Sequence, residues 1–488
     1  MRDVRDFITQ NFVIFAMLAA TMFTSCTSDT DTDTDVEDSD EITAVEWIDQ
    51  CLEGYYLYNE EYKSLERDLT LSYSAFLNNT LLSMTTNVLD KKYYETINLI
   101  PYYDYMIYSY VTCQAATKSR ATTTDREDIS YGVVSTELVR YNGELAIAIL
   151  GVYKDSPASE AGLKRGTVIT EIEGESISWN SFYYGIGYDL LYPSDGDQMT
   201  ITTNTTEAQT ISATTIETNP ILHHEIIDSK IGYIVYSQFD YYFNSDLKEA
   251  LEEFATAGVT DLIVDLRLNP GGYVASARLF GSIIGGNYCT DQVFSYYIMN
   301  EDLTTNSAST ESLIGFTYDS SQRAFYSKFE STDVKLTTLS PRIYCLVSED
   351  TASASELLIN SLRGIDFEVI LIGSKTEGKN VGMINFNTTI DDYEYDLYPI
   401  SFENRNAKME GDYFEGMEVD YEVSDLLDYK GFNDYGVDDP LVTKAMELIT
   451  GIETSASTTR AESTLSLTKL GNAKNHHKVG GAVISPKN

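Results

Sequence analysis

Histidine is scarce in this chain. Its 488 residues contain four, placed as two adjacent pairs, His223-His224 and His476-His477. A Ser-His-Asp arrangement therefore has few positions from which to recruit its base. Cations are also in short supply: 33 Lys+Arg stand against 76 Asp+Glu, a formal net charge of −43. That charge repels phosphate backbones and argues against a nucleic-acid partner. Cysteine occurs five times, and Cys51, Cys113, Cys289 and Cys345 show none of the CxxC spacings of zinc or redox sites. No metal site is visible and no cofactor is expected. Tryptophan occurs twice, whereas tyrosine occurs 37 times. The apolar run over residues 12–23 is too short to cross a membrane, which takes about 20 residues. The bulk composition, 43% hydrophobic and 22% charged, is that of a globular protein. The length exceeds one ordinary domain of about 100–200 residues.

Residues 1–26 read as an export signal: Arg2 and Arg5 precede the apolar run, which ends in Phe23-Thr24-Ser25-Cys26. This ending resembles a bacterial lipobox. The resemblance implies cleavage before Cys26, lipidation of Cys26, and anchoring to a bacterial membrane on its periplasmic or cell-surface face. Residues 27–43 follow as an acidic tether, and the stretch 29–41 holds eight acids and no base. Self-repulsion keeps such a stretch extended. Acidic residues behind a lipidated cysteine also resemble the surface-display lipoproteins of Bacteroidetes.

Beyond the tether, residues 44–113 are expected to form a helical N-terminal subdomain, from apolar and aromatic residues at mixed helical spacing. Residues 114–128 are polar and aperiodic, as in a linker or exposed loop. Residues 129–218 read as a compact module with an apolar strand over 145–152. Its segment SPASEAGLKRGTVITEIEG resembles the core of a PDZ domain of the bacterial protease type. Pro157 suits the first turn of a short helix, and Gly162 and Gly166 suit its cap and the next turn. Thr167 departs from the family, which usually has Asp there. The resemblance implies a carboxylate-binding loop at Tyr131-Gly132-Val133 and an open edge that takes up a substrate's C-terminus as an added strand.

Residues 221–450 alternate strand and helix patterns. Strands are predicted over 231–239, 262–266, 343–347 and 368–372. Leu247, Ala250, Leu251, Phe254 and Ala255 mark an amphipathic helix. Such alternation predicts an α/β layer structure around a largely parallel sheet. A last helix is expected over 440–450. Residues 451–488 lean basic, read as a disordered tail, and suggest no function.

Two constellations lie in the α/β region. Residues 265–272, DLRLNPGG, run from a strand into a Gly-Gly turn, where backbone N–H groups can face a ligand as an oxyanion hole requires. A tight strand-to-helix turn is the plainer reading. Residues 348–356, SEDTASASE, place small residues around a serine at a helix N-terminus, beside unpaired N–H groups and the positive dipole end. Serine needs a base, and the candidates are His223, His224 or a lysine, with Lys379 in the segment TEGKNVG. Parallel neighbouring strands would carry Lys379 toward Ser353.

In this order, behind a PDZ-like segment, DLRLNPGG, TASASELL and GSKTEGKNVG resemble the carboxyl-terminal processing (tail-specific) peptidases of family S41. The resemblance implies a core of the ClpP/crotonase type and a serine endopeptidase that cleaves proteins near their C-terminus through an acyl-enzyme. Ser353 aligns with the nucleophile and Lys379 with the base, and the oxyanion hole would use the N–H of Ala354 and of Gly271 or Gly272. Unfolded or C-terminally exposed proteins are the implied partners. Ser355 then reads as structural, and Lys375 as a rival base on a solvated loop. Met383 stands where the family often has a glutamine that orients the lysine, so the polar partner of Lys379 is unaccounted for. That departure keeps a second reading open, a catalytically inactive peptide-binding lipoprotein. A lysine base must also be neutral against an ordinary pKa near 10.4, so burial has to outweigh the acidic field.

Overall fold

The computed structural model describes residues 42–97, 100–116, 126–427, 431–452, 467–472 and 482–485. The export signal, Cys26 and His476-His477 lie outside the described residues. Among those described, Cys51, Cys113, Cys289 and Cys345 form no disulfide, and no helix is long and apolar enough to cross a membrane.

Thr43 opens the first helix, Ala44–Tyr55, through a capping box with Glu46. This helix buries Ile48 and Leu52 against Phe76 and Leu77 of the helix Tyr73–Ser83. The expected helical character then ends. Lys91–Ile97, Ile100–Ile107 and Tyr110–Ala115 are strands, so the helical reading of 44–113 is corrected over its second half. The physical reason is composition: aromatic and β-branched residues crowd this stretch and favour a pleated, half-buried surface. Tyr110–Ala115 pairs antiparallel with Tyr393–Tyr398 of the following α/β core. The N-terminal segment is thus built onto that core.

Residues 126–218 form an antiparallel module. Its sheet runs in the order Gln209–Ser212, Gln198–Thr203, Val168–Ile172, Glu144–Val152, Val133–Tyr141. It encloses its own core of Tyr131, Leu138, Ile147, Ile149, Phe182 and Ile201. Glu127–Ser130 and Thr214–Glu217 pair to close its base. The outer edge of Val133–Tyr141 is occupied by Leu467–Asn472, antiparallel. The tail is therefore not disordered throughout, as its polar composition had suggested.

The central sheet has the order Ile221–Ile227, Ile231–Tyr236, Asp261–Asp265, Arg342–Val347, Glu368–Gly373, Tyr421–Glu422. Its first pair is antiparallel and the rest are parallel, matching the α/β expectation. On one face, helix Asn244–Ala257 buries Leu247, Leu251 and Phe254, each worth about 1.5–3 kcal/mol relative to exposure. Gly258, at φ 65°, supplies its left-handed cap. Helices Val274–Gly285 and Ala354–Gly364 pack against each other on the same core. Helix Pro440–Thr450 covers the opposite face through Leu441, Val442 and Ala445. A second, mixed sheet was not foreseen. Its order is Gly272–Tyr273, Ala482–Ile484, Val381–Ile384, Ile400–Arg405, Val293–Met299, Ala324–Lys328, Thr317–Asp319.

Candidate active site

The two motif loops leave neighbouring strands of the central sheet, since Asp261–Asp265 and Arg342–Val347 pair parallel with Asp265 opposite Leu346. Side chains then bind one loop to the other. Thr351 Oγ1 donates to Leu266 O (2.8 Å), Ser348 Oγ to Arg267 O (2.6 Å), and Ser355 Oγ to Asn269 O (3.0 Å). Ser355 is spent on this structural bond. Asn269 is fully buried; its Nδ2 donates to Tyr236 O (2.9 Å) and its Oδ1 accepts from Gly271 N–H (2.9 Å). Beneath it, Arg267 is clamped by Asp265 and Asp439 at 2.6 and 2.9 Å.

Ser353 sits at this junction with φ 55° and ψ −108°. Positive φ at a non-glycine residue costs on the order of 1–3 kcal/mol and persists only where the surroundings enforce it. Here Glu356 enforces it. The carboxylate of Glu356, itself fully buried, accepts four hydrogen bonds. Oε2 takes the backbone N–H of Ser353 (2.9 Å) and of Lys379 (2.8 Å); Oε1 takes Thr376 Oγ1 (2.5 Å) and Gly378 N–H (2.8 Å). One oxygen thus ties the backbones of Ser353 and Lys379 together. Burial pushes the Glu356 carboxyl up to about 7, and these four donors oppose that rise. Sequence reasoning left Glu356 without a role, although its spacing three residues after a serine at a helix start was a readable capping signal.

Lys379 is fully buried, and its Nζ lies 4.6 Å from the centre of the Tyr108 ring. The amine makes no hydrogen bond among the described residues. Burial pushes the amine down to about 8, opposed by the charges of Asp90, Glu377 and Glu356. Asp90 is buried and accepts from Tyr56 Oη, Ser109 Oγ and the N–H groups of Tyr108 and Ser109. Nothing in the sequence marked Asp90 or Tyr108, because the antiparallel pairing of the N-terminal segment with Tyr393–Tyr398 brings them here. Met383 packs in the apolar cluster beneath the N-terminal helices, so no polar side chain replaces the family's glutamine at that position. Lys375 is exposed and pairs with Glu418 at 2.8 Å. His223 and His224 face Glu225 and Glu253, each at 3.3 Å, and neither is directed to Ser353.

Of the two turn glycines, Gly271 (φ 115°) has its N–H engaged inward by Asn269. Its place in an oxyanion hole is therefore corrected, which leaves Gly272 and Ala354 as the donors to consider. Gly272, at φ 132°, admits no side chain, since a Cβ there would lie 2.1 Å from Phe239 O. Ala354 opens its helix, where N–H groups lack intrahelical partners. In the antiparallel module, Tyr131 and Val133 are buried, and Gly132 N–H donates to Ser130 Oγ (2.9 Å). This loop precedes the edge strand that Leu467–Asn472 covers.

Comparison with known proteins agrees with this architecture. The sequence model of peptidase family S41 matches residues 230–423, the span that holds Ser353, Glu356 and Lys379. The chain is 28% identical over 165 residues to the carboxy-terminal processing protease CtpB of Bacillus subtilis (strain 168), covering 32% of this chain and 33% of that protein. It is 24% identical over 252 residues to a CtpA-like serine protease of Staphylococcus aureus (strain N315), covering 51% and 44%. The chain thus spans less than half the length of these curated relatives. An S41-type protein of Bacteroides fragilis NCTC 9343 superimposes with a TM-score of 0.62 at 21% identity, covering 86% of this chain and 99% of that one, which speaks to fold alone. Residues 230–423 are accordingly the part of the chain that is similar to peptidase family S41.

Proposed function

We propose that the whole chain is a serine endopeptidase that cleaves proteins near their C-terminus through Ser353 and Lys379. One observation carries the reading. A buried lysine whose amine has no hydrogen-bond partner among the described residues, its pKa brought down to about 8, is joined by its backbone N–H, through one carboxylate oxygen, to the backbone of a strained serine. A structural lysine in such a place would be expected to hold an acceptor.

In this mechanism neutral Lys379 Nζ takes the proton from Ser353 Oγ, which attacks the carbonyl carbon of the scissile peptide. The N–H groups of Ala354 and Gly272 receive the oxyanion. The ammonium of Lys379 then protonates the leaving amine as the C–N bond breaks, giving an acyl-enzyme ester. Water, deprotonated by the same amine, hydrolyses that ester and restores Ser353. The module 129–218 serves as a PDZ-type domain that presents the substrate's C-terminus, and Cys26 carries a lipid that fixes the enzyme in the bacterial cell envelope.

The test incubates protein lacking residues 1–26, and its Ser353→Ala and Lys379→Ala variants, with a loosely folded protein ending in apolar residues. Mass spectrometry follows the products. Cleavage by the unsubstituted protein alone is expected; equal cleavage by Ser353→Ala would end the proposal. For the anchor, Cys26→Ser is expected to move the full chain from the membrane to the soluble fraction, and continued sedimentation with membranes rejects lipidation.

A further inference from the structure

The strand between Gly272–Tyr273 and Val381–Ile384 belongs to neither motif. It is Ala482–Ile484, from the end of the chain, and it pairs parallel with both neighbours: Gly272 and Gly382 stand opposite Ala482, and Met383 opposite Val483. Ala482, Val483 and Ile484 are all buried. The fit is close, because a Cβ on Gly382 would lie 2.6 Å from Ala482 O. Ala482 N–H donates to Ser353 Oγ at 2.5 Å. Ser353 Oγ therefore faces an amide nitrogen, while Lys379 Nζ has no hydrogen bond among the described residues.

A second, separate contact involves the same tail. Leu467–Asn472 lies along the free edge of Val133–Tyr141, with Leu467 opposite Tyr141 and Asn472 opposite Glu137. It therefore runs toward the Tyr131-Gly132-Val133 end. One tail thus fills the open edge of the antiparallel module and, after nine intervening residues, the groove beside Ser353.

We propose that the C-terminal tail is the chain's own groove ligand. The groove between Gly272–Tyr273 and Val381–Ile384 binds an extended peptide in parallel register, with a small residue opposite the two glycines and β-branched residues after it, and the tail holds it in a self-inhibited state. The self-inhibition rests on the peptidase reading above; the occupancy does not. A tethered strand acts at an effective concentration of about millimolar, so an incoming substrate has to displace it. Main-chain pairing supplies its affinity, as in other strand additions to a sheet edge.

The test compares the full chain with its Ala482→Arg variant, whose long side chain cannot enter beside Gly272 and Gly382; Ile484→Asp is the second variant. Amide hydrogen exchange is read over residues 381–384 and 482–484. Protection in the unsubstituted chain is expected, independent of protein concentration, with exchange at least about tenfold faster in both variants. Tail amides that exchange like an unstructured peptide, or variants that leave residues 381–384 unchanged, overturn the proposal. Cleavage of a loosely folded protein is then followed for each chain. Faster cleavage by the variants supports self-inhibition. Equal rates with a protected tail, or loss of residues 482–488 from the unsubstituted chain by its own activity, overturn it. Absence of cleavage from every chain rejects the peptidase reading, and a protected tail still supports the groove-ligand assignment.

Discussion

Lys379→Met should make the protein more stable while removing its activity. Methionine matches the lysine stem in shape and fills the same apolar space beneath Tyr108 without the amine. The native amine is fully buried, lacks a hydrogen-bond partner among the described residues, and has its pKa pushed from 10.5 to about 8. That gap corresponds to about 3 kcal/mol of destabilisation, at about 1.4 kcal/mol per unit of pKa. The sign follows from proton binding. Between pH 8 and 10.5 the unfolded chain holds more protons on this lysine than the folded chain, so native stability rises with pH across that window. Below pH 8 the full penalty is present. Urea unfolding at pH 7.5 should therefore show Lys379→Met more stable by about 3 kcal/mol. At pH 10.5 the advantage should have shrunk by nearly that amount, because the folded amine is then neutral and the unfolded one about half so. Peptidase activity should vanish at every pH. A variant less stable than the parent at pH 7.5, or an advantage that grows with pH, refutes the account of Lys379 as a strained, partnerless base.

Three further outcomes follow from the site. On the proposed mechanism kcat/KM of the unsubstituted protein should rise about tenfold per pH unit below 8 and level off above it, because the neutral amine would be the active form; a rate still climbing at pH 9.5 would mean that burial does not outweigh the acids. Glu377→Gln removes one of the charges that hold Lys379 up, so the acid limb should move to lower pH by less than about one unit, and a move upward sinks the assignment. Arg267→Met leaves Asp265 and Asp439 buried without their shared cation. It should cost about 3–5 kcal/mol in urea unfolding, and a loss under about 1 kcal/mol contradicts the clamp of Asp265 and Asp439 on this motif arginine as a stabilising contact.

The parts legible in the sequence were those whose chemistry is local. Ile343 to Val347 is an unbroken apolar run and reads as a buried strand from one window; Leu247, Leu251 and Phe254 report their helix face by spacing alone. The motif loops announce themselves because small residues and glycines at a strand end have few other uses. The Tyr-rich stretch after Lys91 misled, since aromatic residues at irregular spacing satisfy a helix and a strand about equally until the partner strand at Tyr393–Tyr398 decides between them. The second sheet escaped for a related reason. Gly272–Tyr273 and Ala482–Ile484 are two and three residues long, too short to carry a period, and each is a strand only because its neighbours offer unpaired edges. Asp90 and Tyr108, which set the environment of Lys379, lie more than 250 positions before it, and only the folded pairing brings them near. What a motif can specify is therefore the proposed nucleophile, the proposed base and the turns that carry them. How far the base is depressed, and whether the groove stands open, depend on segments whose sequences carry no sign of the site: the N-terminal strands that cover Lys379 and the tail that lies against Ser353. If substituting Ala482 both exposes the tail and speeds cleavage, the proposed self-inhibition resides in three residues that composition alone assigns to a polar terminus.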